Sequence, residues 1–434
     1  MLANLLSFAG TMKSFGGILL AVIILLAMVT IHEFGHYIAG KILGFRINEF
    51  AVGFGPAIFK KRSKKTGELF ALRCIPLGGY CAFDGEDEFS DDTEETAEKP
   101  VNPDEEPFAE MSAKEENEGG MYETTEKPDE KTSAEEEEYP TPKGARFNDQ
   151  KPWKRIIVLL AGATMNYLLS VFLIILLFAT VGRPVYQVVE DAPKPEHEGL
   201  PNVMETYETG LQTGDVILEV EGKTVYLYTD YIKILDGKKQ GDKVELLVLR
   251  EEKKQTLEIT LIEDADFVNM SDISTLIYSL GLATRGEVDG EVQTTRGGGF
   301  STTQVKDGFF QTIGGSFVYS VKIGGTVLRS LGELLTGKLG LEAMGGPVTT
   351  IKLTSEVAAS GWENFLNIAA FIGVNLAVFN LLPIPALDGC KVIFCLIEWI
   401  RKKPINRKVE TIIHLAGIMF LFGFAILVDI LQLF

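Results

Sequence analysis

The stretch Ser14-Phe-Gly-Gly-Ile-Leu-Leu-Ala-Val-Ile-Ile-Leu-Leu-Ala-Met-Val-Thr-Ile31 carries no charge and runs straight into His32-Glu33-Phe34-Gly35-His36. A helix of roughly 20 apolar residues is enough to cross a ~30 Å hydrocarbon layer. The run is apolar on every side, not along one stripe, which is the pattern of lipid contact. It is therefore read as a membrane-spanning helix that ends in two imidazoles and a carboxylate. Because it leads directly into those polar residues, it is not expected to be a cleaved signal peptide.

Three further uncharged runs follow at Ile156–Gly182, Phe365–Leu387 and Thr411–Val428. The chain thus reads as a polytopic α-helical membrane protein with four transmembrane helices. Lys and Arg near the helix ends set the expected orientation. Lys41, Arg46, Lys60, Lys61, Arg62, Lys64, Lys65, Lys151, Lys154 and Arg155 flank the first connection. Lys391, Arg401, Lys402, Lys403, Arg407 and Lys408 lie in the third. Both connections are expected to be cytosolic, with the termini and the stretch from Arg183 to Glu363 outside the cell. Cys74, Cys81, Cys390 and Cys395 then lie on or near the reducing side and are expected to be free thiols.

The 434 residues carry 60 acidic and 41 basic side chains, a net charge of −19 that argues against a nucleic-acid partner. The acidity is local. From Asp84 to Glu138 there are 24 Asp and Glu against 4 Lys, a charge of −20, which leaves +1 for the rest. This stretch has few large apolar side chains and cannot offset its ordering entropy by burial, so a disordered insertion is expected over 84–146.

Between Gln187 and Glu263 the hydrophobic period changes to that of strands, with Asp215–Gly222, Lys243–Arg250 and Gln255–Leu261 as candidates. Gly210-Leu-Gln-Thr-Gly-Asp-Val-Ile217 resembles the core motif of PDZ domains, and its two glycines suit turns that need positive φ. A PDZ-like α+β domain is expected over 183–264, with peptide or protein tails as ligands. From Asp307 to Leu335, apolar residues recur at near-helical spacing. They indicate either an interfacial helix on the outer leaflet or a helix packed on the small domain.

On a helix, His32 and His36 share a face, so both can reach one ion with Glu33 beside them; this is the spacing of a zinc hydrolase. Two His and a Glu at membrane depth are costly unless paired or ligating. A catalytic zinc usually takes three protein ligands and one water. Position 42 is Ile, and His197 is expected across the bilayer. That leaves His414, at the start of the fourth segment, and Asp388, in Asn380-Leu-Leu-Pro-Ile-Pro-Ala-Leu-Asp-Gly389. Asp388 is favoured, because the third segment brings it to the depth of the two His, and Pro383 and Pro385 break the helix where irregular backbone must line a cavity.

These motifs together resemble the site-2 protease family, in particular the bacterial zinc proteases that cut membrane-bound anti-sigma factors. Val52-Gly-Phe-Gly-Pro56 and Pro76-Leu-Gly-Gly-Tyr80 are similar to that family's membrane-associated β-hairpin and loop, and Gly345-Gly-Pro-Val348 to its turn before the third helix. Two departures are Ala161-Gly-Ala-Thr-Met-Asn166, where Gly-Pro-x-x-Asn is usual, and Cys390-Lys391, where a second Gly is usual.

The resemblance implies a zinc endopeptidase of regulated intramembrane proteolysis, with His32, His36 and Asp388 as metal ligands and Glu33 as general base and acid. It implies substrate contacts at Asn380, Pro383, Pro385, Gly78 and Gly79, the last two on a strand edge that pairs with an unwound substrate. Single-pass membrane proteins, including anti-sigma factors or signal-peptide remnants, are the implied substrates. The external domain is implied to gate access, in a cytoplasmic membrane whose lipid is the other partner.

The expected order along the chain is the first helix over 1–43, the hairpin and loop over 44–83, and, after the insertion, the second helix over 147–182. Beyond the PDZ-like domain come a linker with the amphipathic helix (265–363), the third helix (364–390), a basic loop (391–410) and the fourth helix (411–434). A PDZ scaffold without catalysis and a metal transporter are the alternatives. The first predicts a damaged ligand set, and the second predicts further polar residues along a membrane path.

Overall fold

In the computed structural model, residues 2–86, 139–189, 210–267, 272–288, 291–296, 298–340 and 345–432 are described. The acidic stretch 87–138 and His197 lie outside these residues. Helix α1 (Leu2–Leu43) contains the first apolar run, and α2 (Pro152–Thr180) the second. Among the described residues, four helices are long and apolar enough to cross a membrane, at Gly16–Leu43, Pro152–Thr180, Trp362–Leu381 and Arg407–Leu431. They overlap the four expected spans, except that the third helix, expected over 364–390, ends at Leu381, where Pro383 and Pro385 stop it, and a separate helix begins at Asp388.

Helix α2 is the hub of the bundle because one of its faces is built from small residues. Gly162, Ala163, Asn166 and Ser170 are all buried on it. A Cβ on Gly162 would sit 2.4 Å from Nε2 of His36, so only glycine lets α1 approach with its imidazoles turned toward α2. Small-residue contact of this kind is what packs helices where lipid supplies no hydrophobic drive.

After α1, strand β1 (Ile47–Arg62) pairs antiparallel with β2 (Leu69–Phe83) through several register shifts. The rings of Phe45, Phe83 and Phe147 pack against one another edge-on or tilted at the base of this hairpin. Its outer residues Phe54, Ile58, Phe59, Leu72 and Ile75 are exposed. The acidic stretch is anchored at both edges. Asp84 pairs with Arg46 at 2.7 Å, and Ala145 accepts a backbone bond from Arg46 and donates one to Gly44.

A second unit follows α2. Strands β3 (Arg183–Val189), β4 (Val216–Val220), β5 (Lys223–Thr224), β6 (Lys243–Arg250) and β7 (Lys253–Thr260), with helix α3 (Tyr228–Leu235), are succeeded by α4 (Ile273–Ser279). Next come the hairpin β8 (Ala283–Val288) and β9 (Glu291–Arg296), and then β10 (Gly299–Val305). The six-stranded antiparallel sheet runs β10-β3-β4-β6-β7, with β5 on β4. The three expected strands are present as β4, β6 and β7. Leu246 and Val248 alternate inward on β6, a register shift after Ile217 turns Val220 to the same side on β4, and with Ile259 they close on Tyr231 and Leu235. The Gly-x-x-x-Gly-Asp turn works through its last residue: buried Asp215 takes Arg250 through both carboxylate oxygens at 2.7 Å and caps Gln212 N–H at 2.9 Å. The sheet extends past the expected boundary at 264, because β10 pairs with β3 along its whole length.

Helix α5 (Phe309–Leu335) packs on neither of its two expected partners alone. Its small face, including Ser316 and Ser320, turns toward α2, where Tyr167 and Ser320 share a 2.9 Å hydrogen bond, while Phe309, Phe310, Phe317 and Val321 face outward. Lys322 on the same helix reaches Asp230 of α3 at 2.8 Å. Helix α6 (Pro347–Ala358) starts at the Gly-Gly-Pro-Val turn. Its first amides, at Val348 and Thr349, are capped by Asp429 at 3.0 and 3.3 Å. That aspartate belongs to α9 (Arg407–Leu431), which follows α7 (Trp362–Leu381) and α8 (Asp388–Arg401). Residues read as a basic loop over 391–410 are therefore helical as far as Arg401. Lys391 and Arg401 sit on this amphipathic helix, whose buried face holds Cys390, Cys395 and Glu398, while Arg407 and Lys408 open α9. All four cysteines are unpaired thiols, as expected.

Candidate metal centre

The site forms where the end of α1 meets the start of α8. Helix α7 stops at Leu381 because Pro383 and Pro385 can donate no backbone hydrogen bond. The chain then turns through Ala386, which sits at φ +84°. This unfavourable conformation is held by its N–H, which donates to Nδ1 of His414 at 3.1 Å. Pro385 packs directly on Gly417 of α9, where a Cβ would come within 2.4 Å. The turn delivers Asp388 as the first residue of α8, a favourable place for a carboxylate beside unpaired helix amides.

Three ligand atoms converge. Oδ2 of Asp388 lies 3.0 Å from Nε2 of His32 and 3.3 Å from Nε2 of His36, and the two ring nitrogens are 3.1 Å apart. A tetrahedral ion with bonds of ~2.1 Å has ligand atoms about 3.4 Å apart, so the triangle is close to one face of a zinc polyhedron. Among the described residues this is the one group of three His, Cys, Asp or Glu side chains able to hold a metal.

The hydrogen bonds behind the triangle decide its chemistry. Nδ1 of His36 lies 2.8 Å from the Val158 carbonyl, so it must carry the proton and leave Nε2 as a bare acceptor. Asn166 lies 3.5 Å from Nδ1 of His32, and its Oδ1 is buried without a partner. A half-turn of that amide lets Oδ1 accept from the His32 ring N–H, which satisfies both groups. Oδ2 of Asp388 is likewise buried without a hydrogen-bond donor. Three acceptors then face one point with no donor among them, an arrangement that a metal cation completes. The donor set of two imidazoles and one carboxylate suits zinc. Both orienting groups, Val158 and Asn166, come from α2, as outer partners of metal-binding His characteristically do.

His36, Asp388 and Glu33 line a common cavity of about 580 Å³. Its opposite wall is the β-hairpin. Gly79 brings the strand so close that a Cβ there would lie 3.4 Å from Cγ of Glu33 and 2.9 Å from the Ala51 carbonyl. Tyr80 and Glu49 line the same cavity and are tied together by Arg73, at 2.6 and 2.7 Å. Burial, reinforced by the Glu49 carboxylate, raises the Tyr80 hydroxyl pKa above its ordinary value. Lys391, one turn beyond Asp388, pairs with Glu86 at 2.7 Å across the cavity mouth.

His32, Glu33, His36 and Asp388 are thus brought together as the sequence suggests. His414 is not with them, since its Nδ1 is engaged by the Ala386 amide. Of the residues expected to meet substrate, Gly79 lies against Glu33, and Gly78 holds φ +101° beside the Phe54 ring. Pro385 is committed to Gly417. Asn380 lies in the last turn of α7, Pro383 lies exposed in the turn that follows, and neither lines the cavity. Asn166, Val158 and Lys391 were assigned no role from sequence. For Asn166 a signal was available, because an amide inside an apolar span is costly without a partner.

The sequence matches peptidase family M50 over residues 20–424. It is similar to the zinc metalloprotease RasP of Bacillus licheniformis, 28% identical with 94% of this chain and 97% of the relative covered. The regulator of sigma-W protease RasP of Bacillus subtilis is also 28% identical, at 95% and 98% coverage. The zinc metalloprotease RasP of Oceanobacillus iheyensis is 26% identical, at 94% and 97%. With the match running from the first membrane helix to the last and the metal triangle inside it, the chain belongs to peptidase family M50.

Proposed function

We propose that this zinc metalloprotease of the membrane cuts peptide bonds within the membrane-spanning segments of its substrates, with His32, His36 and Asp388 as zinc ligands and Glu33 as the proton carrier. The observation that carries the reading is the acceptor-only triangle at the end of two apolar helices, sharing one cavity with Glu33. Zinc held there supplies Lewis-acid activation of water and of the scissile carbonyl. Glu33 accepts the proton of the attacking water and passes it to the leaving amine, and its place on the cavity wall opposite β2 suits both transfers. Val158 and Asn166 keep each imidazole turned so that Nε2 faces the metal.

A peptide bond in a helix already has its carbonyl bonded, so the substrate must unwind before attack. The edge of β2 around Gly78 and Gly79 offers backbone groups to such an unwound strand, and its contact with Glu33 places it at the right wall. Asn380 is assigned to hold substrate backbone where the substrate passes the end of α7, beside Pro383 and Pro385. Single-pass membrane proteins are the substrate class, anti-sigma factors among them, since one relative is named as a regulator of sigma-W. The six-stranded module acts as a PDZ-like gate on the extracytoplasmic side, along with both termini, and the metal lies near the cytosolic face of the cytoplasmic membrane. The Lys and Arg distribution supports this orientation.

The test is Glu33→Gln in purified enzyme reconstituted with a single-span substrate. Cleavage is expected to disappear while one zinc per chain remains. Undiminished cleavage would end the assignment.

A further inference from the structure

Behind the Lys391–Glu86 pair lies a second cavity, of about 400 Å³, which shares Glu86, Leu159 and Lys391 with the metal cavity as a common wall. It is lined on one side by Arg155 of α2 and Arg407 of α9. Arg155 is 4% exposed and spends only Nη2 on Glu398, so its Nε and Nη1 are buried without hydrogen-bond partners. Arg407 bridges Glu398 at 3.2 Å and Glu410 at 2.7 Å. The cations and carboxylates around the cavity balance, so what it lacks is acceptor oxygen for the Arg155 donors.

The remaining wall is apolar and opens sideways. Leu415 and Ile418 line it and are also 56% and 54% exposed on the outer face of α9, one turn apart along a membrane span. Trp153 and Trp399, two residues before Arg155 and one after Glu398, are both exposed; tryptophans so placed mark the headgroup level of a bilayer. Arg401, Lys402 and Lys403 stand exposed at and just beyond the end of the same helix, where they raise the local positive potential.

We infer that this cavity is a binding site for an anionic glycerophospholipid of the leaflet at the metal-bearing end. The phosphodiester oxygens accept from Arg155, and one acyl chain lies along Leu415 and Ile418. Free inorganic phosphate offers the same oxygens without the chain, so the two sources separate experimentally. The site is distinct from the proteolytic reading and does not require it.

Full-length protein, purified in detergent and stripped of lipid, is titrated with phosphatidylglycerol, phosphatidylcholine or inorganic phosphate and read by native mass spectrometry. The expected result is one phosphatidylglycerol per chain, held about tenfold more tightly than phosphatidylcholine and not displaced by equimolar phosphate. Arg155→Lys keeps a cation for Glu398 but removes the spare donors, and Leu415→Trp fills the cavity from its open side; each is expected to weaken phosphatidylglycerol binding about tenfold. Should Arg155→Lys fail to fold, Leu415→Trp decides alone. Equal retention of the two lipids, displacement by phosphate, or wild-type lipid binding in the Leu415→Trp protein would overturn the inference. Zinc content measured on the same samples keeps this outcome separate from that of the metal site.

Discussion

Two buried polar clusters grip the two ends of α8, ten residues and so about 15 Å apart along its axis. At the first turn, Asp388 meets His32 and His36 in a set made only of acceptors. At the last turn, Glu398 meets Arg155 and Arg407, and Ile405 N–H adds a further donor at 3.0 Å. The carboxylate in the second cluster is answered by donors from within the protein, whereas the one in the first is not. The same carboxylate chemistry therefore serves opposite ends. One cluster has its carboxylate satisfied and holds helices together as the chain stands, with Nε and Nη1 of Arg155 to spare, and the other leaves its carboxylate unanswered until a cation arrives.

That contrast can be broken most visibly at the catalytic end. Glu33→Gln should lower peptidase turnover by roughly a thousandfold or more, as loss of a general base that also works as the acid requires, while thermal stability stays near wild type. A parallel fall in stability would mean that Glu33 belongs to the structural class of cluster instead.

At the other end of α8 the expected effect is on folding. Arg155→Leu leaves Glu398 buried with one of its donors lost and should cost about 3–5 kcal/mol of stability, seen as a lowered thermal midpoint with or without zinc. The apolar pair Arg155→Met with Glu398→Leu should recover most of that loss. If the double variant is no better than the single, the ion pair is more than a helix clamp.

A smaller effect sharpens the comparison from the α2 side. Asn166→Leu removes the partner of the His32 ring N–H and should weaken zinc affinity about 10- to 100-fold in a competition titration with a chelator. Arg155 and Glu398 variants that fold should bind zinc as wild type does. The smallest effect concerns the thiols. Burial pushes the Cys395 thiol up to about 11, so at pH 8 it should alkylate far more slowly than exposed Cys74 and approach full reactivity only as pH rises through that value. Fast labelling of Cys395 at neutral pH would show that the core around Glu398 opens.

Much of the first cluster was legible in the sequence because its information is local. His32, Glu33 and His36 lie within one helical turn and a half, and Asp388 is announced by two prolines that must end a helix. The four spans and strands β4, β6 and β7 were legible for the same reason, since each is written in a short period. The second cluster was not legible. Arg155 and Glu398 are 243 residues apart, and in the sequence they read as charges that flank a membrane span or lie in a loop. Helix α8 was hidden by those charges, which follow an amphipathic period. Strand β10, Gly-Phe-Ser-Thr-Thr-Gln-Val, is mostly polar because it is an edge strand, and it enters the sheet through pairing with β3 that no local pattern reveals. The packing of α5 is not legible locally because its contact face mixes Gly315, Ser316 and Ser320 with Tyr319 and Ile323, while Phe309, Phe310, Phe317 and Val321 point outward.

The central claim is that Asp388, brought from the far end of the chain, completes the metal site with His32 and His36. Its most direct test is the zinc content of purified Asp388→Ala and His414→Ala proteins beside wild type, by elemental analysis. Close to one zinc per chain is expected in wild type and His414→Ala, and a large loss in Asp388→Ala. Full occupancy in Asp388→Ala with loss in His414→Ala would contradict that claim.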